Sequence, residues 1–148
     1  MSERSLQRKR RLNALREHDQ VENPSAVPLD LEPFIGTWSK TNGKPGQWIE
    51  RVEIAREGSD QIAVRLWGGD APSPQEWGTA VASALFANAI TSSTGAAFIA
   101  RYDFDFLQSE MQGNVNLGLL VLAGFHQFRD GSGRSDLFTR EFFRKAPV

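Results

Sequence analysis

The chain contains no cysteine, which excludes a disulfide framework, a thiolate metal site and a thiol nucleophile. Histidine is nearly as scarce. His18 and His126 are the only two, and two imidazoles hold zinc only with carboxylate help, so neither a metal nor another cofactor is expected. No excess of one charge is present: the formal net charge of −1 gives neither the basic surplus of a nucleic-acid binder nor an acidic tail. The opening MSERSLQRKRRLNALREHDQ lacks the apolar run that a signal peptide needs. The longest apolar-rich runs, Thr79–Ile90 and Leu117–Phe125, fall well short of a membrane span. The expectation is a cytoplasmic protein with no membrane span and no nucleic-acid partner.

What is present, 148 residues with 40% hydrophobic and 24% charged side chains, suits a single globular domain built around one core. The charge is uneven along the chain. Residues 1–20 carry Arg4, Arg8, Lys9, Arg10, Arg11 and Arg16 against Glu3, Glu17 and Asp19, which makes this arm +3 and the remainder −4. Ser2 to about His18 has helix-forming composition, with Ser2 at the N-cap and Leu6, Leu12 and Leu15 as its only large apolar side chains. Asp19–Pro33 holds three prolines and reads as an extended linker. Residues 1–30 are therefore set apart as a basic helix and linker, and residues 31–148 as the folded domain.

From Phe34 onward short β-like runs alternate with turn clusters. The pattern predicts strands near Ile35–Asn42, Trp48–Ala55, Gln61–Trp67, Trp77–Phe86, Ala96–Phe104, Leu107–Asn114, Leu117–Phe128 and Ser135–Arg144. Between them stand turn residues such as Asn42-Gly43-Lys44-Pro45-Gly46, Glu57-Gly58-Ser59-Asp60 and Asp130-Gly131-Ser132-Gly133. The segment Thr79–Ile90 is open to two readings, because its five alanines favour helix while Thr79, Val81, Ser83 and Leu85 alternate as in a strand. Eight evenly spaced strands predict an all-β fold, an eight-stranded antiparallel up-and-down β-barrel preceded by the N-terminal helix. Closure removes exposed edges and leaves an interior wide enough for side chains or one small ligand.

Two stretches carry a resemblance: Phe34-Ile35-Gly36-Thr37-Trp38 near the start of the barrel, and Phe138-Thr139-Arg140-Glu141-Phe142-Phe143-Arg144-Lys145 at its end. Together they resemble the two ends of calycin barrels, the group that contains lipocalins, avidins and intracellular lipid-binding proteins. The opening stretch is similar to the family's Gly-x-Trp on the first strand. The closing stretch resembles the Thr-Arg-x-Tyr of the lipid binders, with Phe142 in place of the tyrosine. The resemblance implies that Trp38 closes one end of the barrel, with Arg140 lying across its ring or holding a ligand carboxylate. The lid that lipid binders insert after their first strand is missing. A haem-binding relative is not implied, since Ser135–Val148 has no histidine.

Period-two alternation puts Phe138, Arg140, Phe142 and Arg144 on one face of the last strand and Phe34, Gly36 and Trp38 on one face of the first. A Trp38–Arg140 cation–π contact is the expected structural use of the pair, worth up to about 2 kcal/mol when desolvated. The alternative is Arg140 as an anchor for an anion. Glu50 is expected to share a face with Trp48, Val52 and Ile54, either at the rim or paired with Arg140. Tyr102, the only tyrosine, shares a face with Phe98, Ala100 and Phe104 and offers a polar contact inside. His126 lies on Leu117–Phe128, which is apolar on both faces and so expects cover outside, from the N-terminal helix or from a second copy in a homodimer. It serves either as a hydrogen-bonded structural residue or as a general base. Trp67–Trp77 reads as an aromatic flap or a plain loop.

The supply of ten Phe and four Trp and the poverty of catalytic side chains favour binding of a small, largely apolar molecule in the interior or mouth of the barrel. The expected cavity is lined by Trp38, Val52, Tyr102, Phe138 and Phe142, with Glu50 and Arg140 as its polar groups, and opens near Gly68–Pro74. A cyclase or isomerase acting on an apolar biosynthetic intermediate is the second reading, with Glu50, Tyr102, His126 or Arg140 polarising it. A protein–protein interaction module is the third. Composition does not decide whether the chain is an enzyme.

Overall fold

The computed structural model describes residues 28–41, 48–68 and 75–147. The helix expected over residues 2–18, and most of the linker after it, lie outside the described residues. Alternation of apolar and polar side chains produces nine antiparallel strands: β1 Gly36–Lys40, β2 Ile49–Glu57, β3 Gln61–Gly68, β4 Gln75–Val81, β5 Ala84–Ala87, β6 Gly95–Asp103, β7 Leu107–Asn116, β8 Leu119–Phe128 and β9 Leu137–Lys145. On β3, for example, Ile62, Val64 and Leu66 are buried, while Ala63, Arg65 and Trp67 between them are not, as the two-residue period requires.

The strands form one curled sheet in the order β4-β3-β2-β1-β9-β8-β7-β6-β5. Its first and last members are consecutive in the chain. The Ala82 N–H donates to the Ile62 carbonyl of β3, and the next residue, Ser83, donates to the Ile99 carbonyl of β6. The run expected as one strand over Trp77–Phe86 therefore divides at Ala82–Ser83 and gives nine strands where eight were expected. The alanine-rich segment is extended because β3 and β6 both take up its backbone donors, an outcome local propensity does not foresee.

The hairpins follow their turn chemistry. β7 and β8 are joined through Leu117 and Gly118, with φ of 52° and 74°, the two positive values of a type I′ turn. Gly58 takes φ 70° between β2 and β3. On β2 the register slips between Ile49 and Arg51, a bulge that turns both Ile49 and Val52 inward. Glu50 is the extra residue of this slip and has no cross-strand partner on β3.

One end of the sheet, called the lower end, is plugged. A 3-10 turn at Glu32–Phe34 brings Leu31 and Phe34 under the strands. The Trp38 indole N–H donates to the Phe34 carbonyl at 3.0 Å, and the Phe34 ring meets Phe98 edge-on at 5.8 Å. Gly95 makes this possible, since a Cβ there would stand 2.6 Å from Phe34 Cε2. The Gly-x-Trp element thus closes one end, and the physical cause is burial of three large apolar side chains, each contributing about 1.5–3 kcal/mol.

Candidate functional site

The opposite, upper end holds the groups with chemistry. His126 of β8 pairs across the ladder with Ser109 of β7, which in turn pairs with Tyr102 of β6, so alternation sends all three inward. Ser109 and His126 are fully buried. The imidazole Nδ1 is 2.7 Å from Ser109 Oγ and Nε2 is 2.9 Å from Thr139 Oγ1 on β9. A neutral imidazole has one donor and one acceptor nitrogen, and the two hydroxyls satisfy both. Burial pushes the His126 pKa down to about 4, so the ring is neutral at neutral pH.

Gly124 provides the room: a Cβ there would lie 2.5 Å from both His126 Nε2 and Thr139 Oγ1. Gly68 does the same for Trp77, whose indole nitrogen would be 2.3 Å from an added Cβ. Two inward glycines thus stand where large rings must fit. In the sequence they are indistinguishable from turn glycines.

Aromatic rings surround the histidine. Trp48 stacks on His126 with centroids 4.4 Å apart and planes 24° off parallel. Trp77 of β4 presents edges to Trp48 at 5.7 Å, to Phe104 at 5.7 Å and to Tyr102 at 6.5 Å, and Phe128 flanks Trp48 at 6.4 Å. Trp48, Trp77, Phe104 and Phe128 are each only partly buried. The Tyr102 phenol donates to the Val64 carbonyl, and burial raises its pKa.

An ion pair lies alongside. The Lys40 ammonium is bound to Glu141 of β9 and to the Ile49 carbonyl, and the Ile49 N–H donates to the Glu141 carboxylate at 3.2 Å. The two side chains are only 4% and 8% exposed, so each charge depends on the other. Among the described residues no group of three or more acidic, histidine or cysteine side chains is placed to hold a metal ion. No helix among them is long and apolar enough to cross a membrane.

The expected lining divides in two. Trp38, Val52 and Tyr102 point inward and are buried. Phe138, Arg140 and Phe142 do not: the two rings are 57% and 38% exposed, and Arg140 lies on the outer face over the Phe142 ring at 5.2 Å. On β9 the inward residues are Glu141 and Phe143. The expected two-residue period holds on β9 with its phase reversed, because the aromatic Phe138 and Phe142 suggest the core face while the buried partner of Glu141, Lys40, lies 101 residues away.

The expected Trp38–Arg140 contact is replaced by Lys145, whose ammonium is 5.6 Å from the Trp38 ring centroid and whose Cα pairs with Trp38 across the sheet. Glu50 and Arg140 do not meet. Glu50 is half-buried on β2, with β1 between it and β9, and its Oε1 is buried with no partner among the described residues. Of the Trp67–Trp77 stretch, residues 69–74 lie outside the described residues. Trp67 faces outward between Arg51 and Arg65, 4.0 and 4.5 Å from its ring, while Trp77 faces in.

Sequence reasoning singles out Tyr102 and His126 but misses Lys40, Ser109, Thr139 and Glu141. A signal exists for Glu141, an acid that shares alternation with Phe143. Ser109 and Thr139 give none. Comparison with protein-family models, curated proteins and solved structures found no match, which leaves the geometry of this end to carry the functional reading.

Proposed function

We propose that this protein binds a small, largely apolar molecule at the upper end of a barrel closed through the β4–β5 segment. The observation that supports this is the cluster of Trp48, Trp77, Phe104 and Phe128, four large rings left partly exposed around the buried His126. Partly exposed aromatic rings converging on a few placed polar groups are the usual makeup of a ligand site. The polar groups favour a neutral ligand. Lys40 and Glu141 neutralise each other, and both His126 nitrogens are taken by hydroxyls, so neither the ion pair nor the imidazole offers an unpaired charge to an ion.

Tryptophan emission tests the proposal. Titration with neutral hydrophobic compounds should give saturable quenching or a blue shift. That change should vanish in Trp48→Phe/Trp77→Phe and persist in Trp67→Phe, whose ring is on the outer face. If no compound alters the emission, or if the double variant responds as the parent does, the proposal fails.

A second reading, isomerisation or cyclisation of such a ligand, is favoured by His126 alone. A neutral imidazole hydrogen-bonded to two hydroxyls can relay a proton between Ser109 and Thr139. Turnover of a bound compound that disappears in His126→Gln while binding is retained would support it; binding without any chemistry would count against it.

A further inference from the structure

The outer surface of the sheet is of two kinds. Over β2, β3 and β4 it is laced with ion pairs, Arg51 and Arg65 with Glu53 and Arg65 with Glu76, as a solvated face should be. Over β8 and β9 it is apolar. Leu117 at the hairpin tip is 98% exposed, and Phe125 of β8 is 43% exposed and packs against the still more exposed Phe138, 5.2 Å away. Val121 and Ala123 continue the strip, with Phe142 beside Val121. Lysine, aspartate and glutamate are absent from the outward rows of β8 and β9, and aromatic residues with arginine in their place mark the core of protein interfaces. Leu117 adds a further sign. A non-glycine residue with positive φ carries strain, and a fully exposed leucine there contributes nothing to this chain's own core.

We infer that this face is a dimer interface and that its occupant is a second copy of the chain, related by a two-fold axis running along β8. The charges flanking the strip select both partner and axis. On the β9 side, level with Ala123, stands Arg140; on the β7 side at the same level stands Gln112, with Glu110 one step up beside Phe125, its carboxylate bridged to Arg101 of β6 and to Gln112 but still partly exposed and open to a second guanidinium. A rotation along β8 exchanges these flanks, which lays Arg140 over Gln112 of the second copy, within reach of its Glu110, and does so twice. An axis across the strands would instead set Arg140 against Arg140. The basic residues 1–20 would meet like charge at Arg140 and Arg144, which disfavours that segment as the cover. The apolar strip is about 27 Å long and two strands, about 10 Å, wide; with the flanking row of β7 included, two such faces span about 750 Å², the small size of a weak, reversible contact.

Sedimentation of the full chain over a wide concentration range tests the inference. The parent should be a reversible dimer, and Phe138→Asp should raise the dissociation constant by at least ~30-fold. Arg140→Glu and Glu110→Arg should each be monomeric alone. An equimolar mixture of the two should dimerise again, because each contact then joins opposite charges. Near-ultraviolet dichroism checks that every variant is folded. A parent that stays monomeric, a dimer that survives Phe138→Asp, or a mixture that fails to associate would each overturn the inference, and the first would assign the face to a different partner. None of these outcomes depends on ligand binding at the upper end.

Discussion

Trp48 lies nearly flat on His126, ring centroids 4.4 Å apart, and this contact joins the residue that leads into β2 to β8 across the interior. The stacked pair shields an imidazole whose nitrogens are already bound to Ser109 and Thr139. The upper end is therefore a neutral, partly dry environment.

A pH dependence follows. Burial lowers the His126 pKa from 6.5 to about 4, so between these values the unfolded chain binds more protons than the folded one. Stability contributed by this group is complete above pH 6.5 and is lost as pH falls toward 4, by a value on the order of 2–3 kcal/mol. Urea unfolding of the parent at pH 7 and pH 4.5 should show the loss, and His126→Gln should reduce it. Equal losses in both proteins would contradict the assignment.

The Lys40–Glu141 pair should behave as a buried pair. Glu141→Gln strands an ammonium that is 4% exposed, at an expected cost of about 3–5 kcal/mol. In Lys40→Met/Glu141→Leu neither charge remains, so the double variant should be more stable than Glu141→Gln by at least ~1 kcal/mol. Chemical denaturation of the parent, Lys40→Met, Glu141→Leu and the double variant, with Glu141→Gln alongside, measures this. An additive cycle would show that the two charges do not depend on each other.

Gly113 is a packing constraint. A Cβ at this position would lie 2.2 Å from the Phe98 ring, so Gly113→Ala should destabilise the fold by about 1–3 kcal/mol through overpacking. Phe98→Leu should relieve part of that cost when combined with it. Thermal unfolding that finds Gly113→Ala as stable as the parent would place the Phe98 ring elsewhere.

Arg140→Gln is expected to change monomer stability by no more than about 0.5–1 kcal/mol, because its stacking on Phe142 is on the surface. Had Arg140 covered Trp38, the cost would have been larger. Unfolding measured at concentrations low enough to exclude association separates the two placements, with Lys145→Gln as the comparison at the Trp38 ring.

Several features are legible in the sequence because they follow from local order. Alternation locates the strands to within a few residues, and turn clusters such as Glu57-Gly58-Ser59-Asp60 mark their ends. Alternation places Tyr102 inside. The two-sided apolar character of β8 is also visible.

The remainder depends on which strands become neighbours. Whether Arg140 or Glu141 faces the core is a choice between two phases of the same period, and it is decided by Lys40, about one hundred residues earlier, whose ammonium reaches Glu141 only after β1 and β9 pair. Glu50 falls out of the strict alternation because a one-residue bulge on β2 leaves it without a partner on β3, and a bulge has no necessary signature in composition. Ser109, His126 and Thr139 come from three adjacent strands and acquire meaning only in register. Residue order is enough for the strands and their turns, since these rest on backbone preference and local burial. The phase of β9, the split at Ala82–Ser83 and the polar set around His126 come only with the assembled sheet, since each arises from a pairing between residues that the chain order does not bring together.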